Sequence, residues 1–206
     1  MRIILILLIA YLLGSIPSAL LVGKFVFNID IRRHGSNNPG TINTLRVLGK
    51  KAAIAVLLVD AGKGALAALL PALLSSDMDP LLAGLAAVIG HCFPIFAGFR
   101  GGKAIATTAG VLLATNVTMF IIAYLAFFGV MFITKYVFYG SISVGLALLI
   151  YSFFTPGREH ELIFSIFLLL LIFLHRSNIM NYIHNKEPKI TDKNLKNDRI
   201  PPKTSA

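Results

Sequence analysis

A chain of 206 residues that is 56% hydrophobic and only 14% charged, with a mean hydropathy of +0.79, has too few charges to cover a soluble fold; soluble domains carry about 25%. That balance excludes an ordinary cytosolic enzyme, a disordered chain and a small disulfide scaffold, and the lone Cys92 excludes intramolecular disulfides and a cysteine-rich metal site. The net charge of +10 suits a helical membrane protein with its basic residues on the cytoplasmic side better than a nucleic-acid binder, since no basic and aromatic domain lies outside the apolar stretches.

Apolar stretches run over 3–27, 51–74, 80–98, 104–133, 137–154 and 161–178. The first resembles a signal peptide, with Arg2, an apolar run and then Ser15-Ile16-Pro17-Ser18-Ala19. Cleavage would leave five basic residues outside the next span, so the segment is expected to stay. The fourth stretch is uncharged over 30 residues, and as one helix it would reach roughly 45 Å against a hydrocarbon core of about 30 Å. It either tilts strongly or breaks near Asn116, which would leave 104–115 too short to cross unaided. A break gives seven segments.

With the N-terminus outside, seven segments place fifteen Lys and Arg on the inner side and only Arg2 and Arg158 on the outer. Six segments would send the basic 28–50 loop and the 135–136 turn to opposite sides. The expected architecture is therefore all-α, an integral membrane protein with about seven transmembrane helices. Residues 1–185 form a single polytopic membrane domain, and 186–206 a basic, flexible cytoplasmic tail near anionic lipid. No internal repeat is evident.

Polar residues interrupt the apolar background in four places, nearly all expected on the inner face. The 28–51 connection holds Gly35-Ser36-Asn37-Asn38-Pro39-Gly40-Thr41-Ile42-Asn43-Thr44-Leu45-Arg46, with neutral donors and one guanidinium suited to phosphate or carboxylate. The same residues also suit an ordinary Gly/Asn turn leading into a helix. Asp60 and Lys63, three apart on the second span, read as a structural ion pair, and Gly62 and Gly64 suggest close helix packing. Gly101-Gly102-Lys103 opens a helix with backbone N–H groups, a positive dipole end and an ammonium, although the Walker A spacing is absent. His175-Arg176-Ser177-Asn178 ends the last span, with His175 and Asn178 on one face if the helix continues. His91 reads as a separate buried, hydrogen-bonded histidine, and Cys92 as a small apolar filler. The sequence has no H-E-x-x-H, no G-x-S-x-G and no paired loop carboxylates, so the inner face offers donors and cations without an obvious general base.

These residues resemble the bacterial membrane acyl-phosphate:glycerol-3-phosphate acyltransferases, the PlsY family. Gly14-Ser15-Ile16-Pro17 with Lys24 resembles the family's first-span signature. Gly35-Ser36-x-Asn38-x-Gly40-x-x-Asn43-x-x-Arg46 resembles the first loop motif, and Asp60-x-x-Lys63-Gly64 follows in place. Gly90-His91-x-Phe93-Pro94 through Phe99-Arg100-Gly101-Gly102-Lys103 resembles the second motif. His175-x-x-Asn178-Ile179, with Glu187 twelve residues after the histidine, resembles the third. The chain departs from the family at Ala104, where a third Gly is usual, and at Ile42, Phe138 and Asn181, where Thr, Ser and Arg are common.

The resemblance implies transfer of a fatty acyl group from acyl phosphate to the 1-hydroxyl of sn-glycerol 3-phosphate, giving lysophosphatidate and phosphate. It implies no cofactor, no metal, a bacterial cytoplasmic membrane location with the site facing the cytoplasm, and a soluble acyl-phosphate-producing enzyme upstream. It assigns catalysis to Ser36, Arg46, Lys103, His175 and Asn178. Phosphate binding falls to Asn38, Thr41, Asn43, Gly101, Gly102 and Ser141, and support to His91, Asp60, Lys63 and Glu187. Glu187 would hold its loop by pairing with a cation or a backbone N–H. A transporter of a phosphate ester or organic anion is the alternative reading.

Overall fold

The computed structural model describes residues 1–155, 158–192 and 199–202, and every regular element among them is helical. Two compact units emerge: Met1–Thr115 with residues 199–202, and Asn116–Asp192.

In the first unit α1 (Arg2–Gly14) and α2 (Ser18–Phe27) are halves of one apolar run. Pro17 has no backbone N–H and interrupts the run, and Asn28 in the left-handed conformation (φ 57°) ends α2. A short α3 (Thr41–Val47) lies in the polar connection that leads to α4 (Lys50–Leu73). Helix α5 (Pro80–Cys92) starts where a proline occupies the first helical position and the Asp79 carboxylate accepts the Leu81 N–H at 2.8 Å. A 3₁₀ turn at Ile95–Ala97 precedes α6 (Ile105–Thr115).

Helix α4 packs most extensively on α6, and α1 on α5. Small residues make this possible: a Cβ at Gly64 would overlap the Thr107 carbonyl, and one at Gly110 the Ala61 carbonyl. Gly62, by contrast, faces open space and plays no part in that packing. Ile6, Val56, Ala87, Val111 and Leu112 are buried between the helices, while Ile4, Phe25, Leu58, Leu66 and Leu113 point outward and are exposed. Large apolar side chains on the outside are what a lipid-facing surface requires.

In the second unit Asn116 accepts the Met119 N–H with its side chain (3.1 Å) and caps α7 (Val117–Thr134). The long apolar stretch is therefore broken at Asn116. Helices α8 (Val137–Ser152) and α9 (Arg158–Leu174) follow, α8 packing on both neighbours around Val144, Leu148 and Leu171. Between α9 and α10 (Arg176–Ile183) the chain bends by 50°.

Among the described residues, four helical segments are long and apolar enough to cross a membrane: Arg2–Phe27, Lys50–Leu73, Pro80–Ala97 and Val117–Thr134. The bent α9–α10 pair would make a fifth. Helices α6 and α8 are shorter. The eleven residues of α6 reach only roughly 17 Å.

The stretch after Lys186, read from sequence as a loose tail, is tied where it is described. Ile190 donates its N–H to Lys135 (3.0 Å) within the second unit, and Ile200 donates to Val47 (2.8 Å) within the first. Ile200 also packs against a buried cluster that includes Phe27, Ile31 and Val47. Lys193, Lys196 and Lys203 lie outside the described residues.

Candidate functional site

The polar residues of the first unit fall into a buried network and an exposed rim. The network begins at Asp60, whose Oδ1 accepts hydrogen bonds from Ser18 Oγ (2.7 Å) and Lys63 Nζ (2.8 Å). The i, i+3 pair expected from sequence is formed, with both side chains almost fully buried. Lys63 also donates to the Ile16 carbonyl (2.7 Å), beside the break at Pro17. The structure corrects the reading that His91 stands apart: its Nδ1 is 3.4 Å from the same Asp60 oxygen. Asp60 and His91 are carried by different helices, so no spacing rule could pair them.

The 28–49 connection is shaped by its own side chains. Asp30 accepts from the Arg32 backbone N–H (3.0 Å) and from its guanidinium (2.8 Å), and Arg32 donates onward to the Ala97 carbonyl (2.8 Å). The Arg32 side chain beside Asp30 holds that carboxyl down at about 2. Asn43 is buried and fully engaged: its oxygen accepts the Ser36 N–H (2.9 Å), and its amide donates to the carbonyls of His34 (3.0 Å) and Ile31 (3.4 Å). Gly35 must be glycine, since φ is +58° and a Cβ would overlap the Asn43 oxygen. Thr44 returns its hydroxyl to Gly40 (3.0 Å), while the Thr41 hydroxyl is buried with no hydrogen-bond partner among the described residues. The side chains of Ser36, Asn38 and Arg46 are exposed or half-buried and, among the described residues, make no hydrogen bond or ion pair.

The Gly101-Gly102 turn differs from expectation. Its two amides are not open: Gly101 donates to the Cys92 carbonyl and Gly102 to the His91 carbonyl, both at 3.1 Å. The glycines serve contact, since a Cβ at Gly101 would overlap the His91 carbonyl and one at Gly102 the His91 Nε2. Lys103 follows, half-buried, and Ala104 adopts φ +57°, a left-handed conformation that explains the family's usual glycine at that place. Pro17, Pro39, His91, Arg100 and the two glycines line a small cleft, where the first loop meets the second turn.

In the second unit His175 is buried at the α9–α10 bend. The helix does not continue through it, so it does not share an unbroken face with Asn178. Its Nδ1 lies 2.9 Å from the Leu171 carbonyl, which makes Nδ1 the protonated nitrogen. Asn178 donates to Glu187 at 2.6 Å, so among the described residues Glu187 holds its loop through an amide and not through a cation or a backbone N–H. Ser141 is buried and donates to the Val137 carbonyl (3.1 Å), keeping acceptor capacity. Phe138 is buried among Tyr136, Tyr139 and Tyr182. Arg176 lies over the Phe173 ring, 4.3 Å from its centroid. No group of three His, Cys, Asp or Glu that could hold a metal occurs among the described residues.

Sequence reasoning missed Ser18 and Tyr11, whose hydroxyl donates to the Phe93 carbonyl at 2.9 Å. The available signal was Ser15-Ile16-Pro17-Ser18, a break in the middle of an apolar run that frees a carbonyl and places a hydroxyl at depth.

A family model described as glycerol-3-phosphate acyltransferase matches residues 4–185. The chain belongs to the glycerol-3-phosphate acyltransferase family. It is 46% identical over 190 residues to the glycerol-3-phosphate acyltransferase of Bacillus subtilis, covering 92% of this chain and 98% of the relative. It is 47% identical to that of Macrococcus caseolyticus, with the same coverage. The crystal structure of PlsY (YgiH), an integral membrane glycerol 3-phosphate acyltransferase, in its glycerol 3-phosphate form matches with a TM-score of 0.83 at 32% identity, covering 91% of this chain and 94% of that one. The lysophosphatidic acid form matches with a TM-score of 0.80 at 31% identity, covering 90% and 94%.

Proposed function

We propose that this acyltransferase takes its fatty acyl group from acyl phosphate and delivers it to the 1-hydroxyl of sn-glycerol 3-phosphate. The hydroxyl oxygen attacks the acyl carbonyl carbon, the bond from that carbon to the phosphate oxygen breaks, and the hydroxyl proton leaves on a phosphate oxygen. The products are lysophosphatidate and inorganic phosphate, the first acylation of phospholipid synthesis. The observation that carries this reading is the nearly full-length likeness to acyltransferase structures holding glycerol 3-phosphate and lysophosphatidic acid.

The residues suit a reaction run by positioning and charge stabilisation. Ser36, Asn38 and Arg46 offer donors that have no partners among the described residues, and Arg46 and Lys103 stabilise charge as phosphate departs. The family resemblance assigns Ser141, His175 and Asn178 to the same reaction. In this reading the chain crosses the bacterial cytoplasmic membrane seven times with its N-terminus outside, the loops carrying Ser36 and Lys103 face the cytoplasm, and a soluble enzyme supplies the acyl phosphate.

The test uses purified protein, radiolabelled glycerol 3-phosphate and synthetic acyl phosphate. Lysophosphatidate should form without CoA or acyl carrier protein. Product only with acyl-CoA or acyl carrier protein would overturn the donor assignment, and uptake into proteoliposomes without covalent change would favour transport.

A further inference from the structure

The reaction as described gives no specific role to His91, which the resemblance assigns only to support. His91 sits at the end of α5, almost fully enclosed, with one nitrogen on each of two neighbours. Nδ1 faces Asp60 at 3.4 Å, and Nε2 lies against Gly102, where a Cβ would overlap it. Asp60 in turn is fixed by Ser18 and Lys63, and Lys63 by the Ile16 carbonyl, so three helices converge behind the ring. In front of it the turn is bonded to the same stretch of backbone, Gly101 to Cys92 and Gly102 to His91. Arg100 and Lys103 flank those two glycines, and His91 and Arg100 both line the cleft.

We propose that His91, held by Asp60, is a positioning residue: its ring is the seat of the Gly101-Gly102 turn and sets where Arg100 and Lys103 stand toward the substrate phosphate. The inference rests on the acyltransferase reading and adds to it a residue that touches no substrate. The ring cannot swing without leaving a buried carboxylate, and any shift of the ring shifts the turn. A cation displaced by about 1 Å from a phosphate weakens binding and rate steeply. A histidine that merely filled space would alter stability and leave substrate affinity alone.

The experiment compares His91→Ala, His91→Gln, His91→Asn, Asp60→Asn and the double variant of Asp60→Asn with His91→Ala, all full-length. Kinetics, calorimetric affinity for glycerol 3-phosphate and thermal midpoint are measured for each. His91→Ala should raise KM for glycerol 3-phosphate roughly tenfold or more and lower kcat as well, through the displaced Lys103. Glutamine, whose amide reaches the position of Nε2, should restore affinity, and asparagine, which reaches only that of Nδ1, should not. Asp60→Asn should raise KM and add little on top of His91→Ala. Tyr11→Phe, which loosens the same segment through the Phe93 carbonyl, should lower the midpoint and leave KM unchanged.

An unchanged KM in His91→Ala, a rescue by asparagine equal to that by glutamine, or full additivity in the double variant overturns the proposal. If His91→Ala does not fold, the glutamine and asparagine variants decide it. A parent that binds glycerol 3-phosphate but forms no lysophosphatidate sinks the acyltransferase reading, and the affinity series still decides the role of His91.

Discussion

Asn38 and Asn43 stand five residues apart in one loop and live in opposite conditions. Asn43 is buried, with both ends of its amide engaged by the backbone of residues 31–36. Asn38 is half-buried and its amide makes no hydrogen bond among the described residues. The same contrast separates the Asp60–Lys63 pair from Ser36 and Arg46. A polar side chain whose hydrogen-bonding capacity is satisfied inside the protein builds the frame, and one whose capacity is idle at an edge is available to a ligand. Residue type alone does not separate the two.

The contrast can be broken by substitution. The largest effect belongs to Lys103→Ala, which should lower turnover by roughly a hundredfold or more while the protein still inserts; near-normal turnover would remove Lys103 from the oxyanion grip. On the frame side, Lys63→Ala leaves the Asp60 carboxylate buried and should destabilise the fold by about 3–5 kcal/mol, read as a lowered thermal midpoint in detergent. Asn43→Ala should cost about 1–3 kcal/mol of stability. Asn38→Ala should leave the midpoint in place and reduce kcat/KM, and equal effects of the two asparagines on stability would contradict the division.

Smaller effects sharpen it further. Ala104→Gly relieves a left-handed residue and should raise stability by about 1 kcal/mol, measured by thermal unfolding. The Asp30 carboxyl, held at about 2 by Arg32 against an unfolded value of 3.8, stabilises the fold above the unfolded value and loses that contribution as pH falls toward about 2. Asp30→Asn should therefore be less stable than the parent by under about 1 kcal/mol near neutral pH. The gap should close between pH 4 and 2, and a gap unchanged across that window would argue against the ion pair.

Much of the frame was legible because it obeys local rules. The length of the uncharged 104–133 stretch demanded a tilt or a break, and Asn116 supplied the break and the cap. The Asp60–Lys63 pair followed from a spacing of three on a helix. What escaped was non-local or contrary to local signal. His91 meets Asp60 from a different helix, and the bend at His175 occurs without a proline or glycine to announce it. The Gly101-Gly102 amides looked open because sequence shows the glycines but not the carbonyls of His91 and Cys92 that claim them. In the candidate site the residue types were readable, whereas which of them are already engaged required the structure.

The contacts between α4 and α6 carry one more consequence. At Gly64 and Gly110 main chain meets main chain with no side chain between, and α6 is the shortest apolar helix of its unit except for α2, which continues α1. A rod of that length gains too little from lipid to partition by itself. During synthesis α4 emerges first and must wait, its groove unfilled, until α5 has been made and α6 arrives. Integration of α6 is then a docking event onto a waiting partner, and damage to the glycine seam would surface first as a failure of biogenesis, before any enzyme existed to assay.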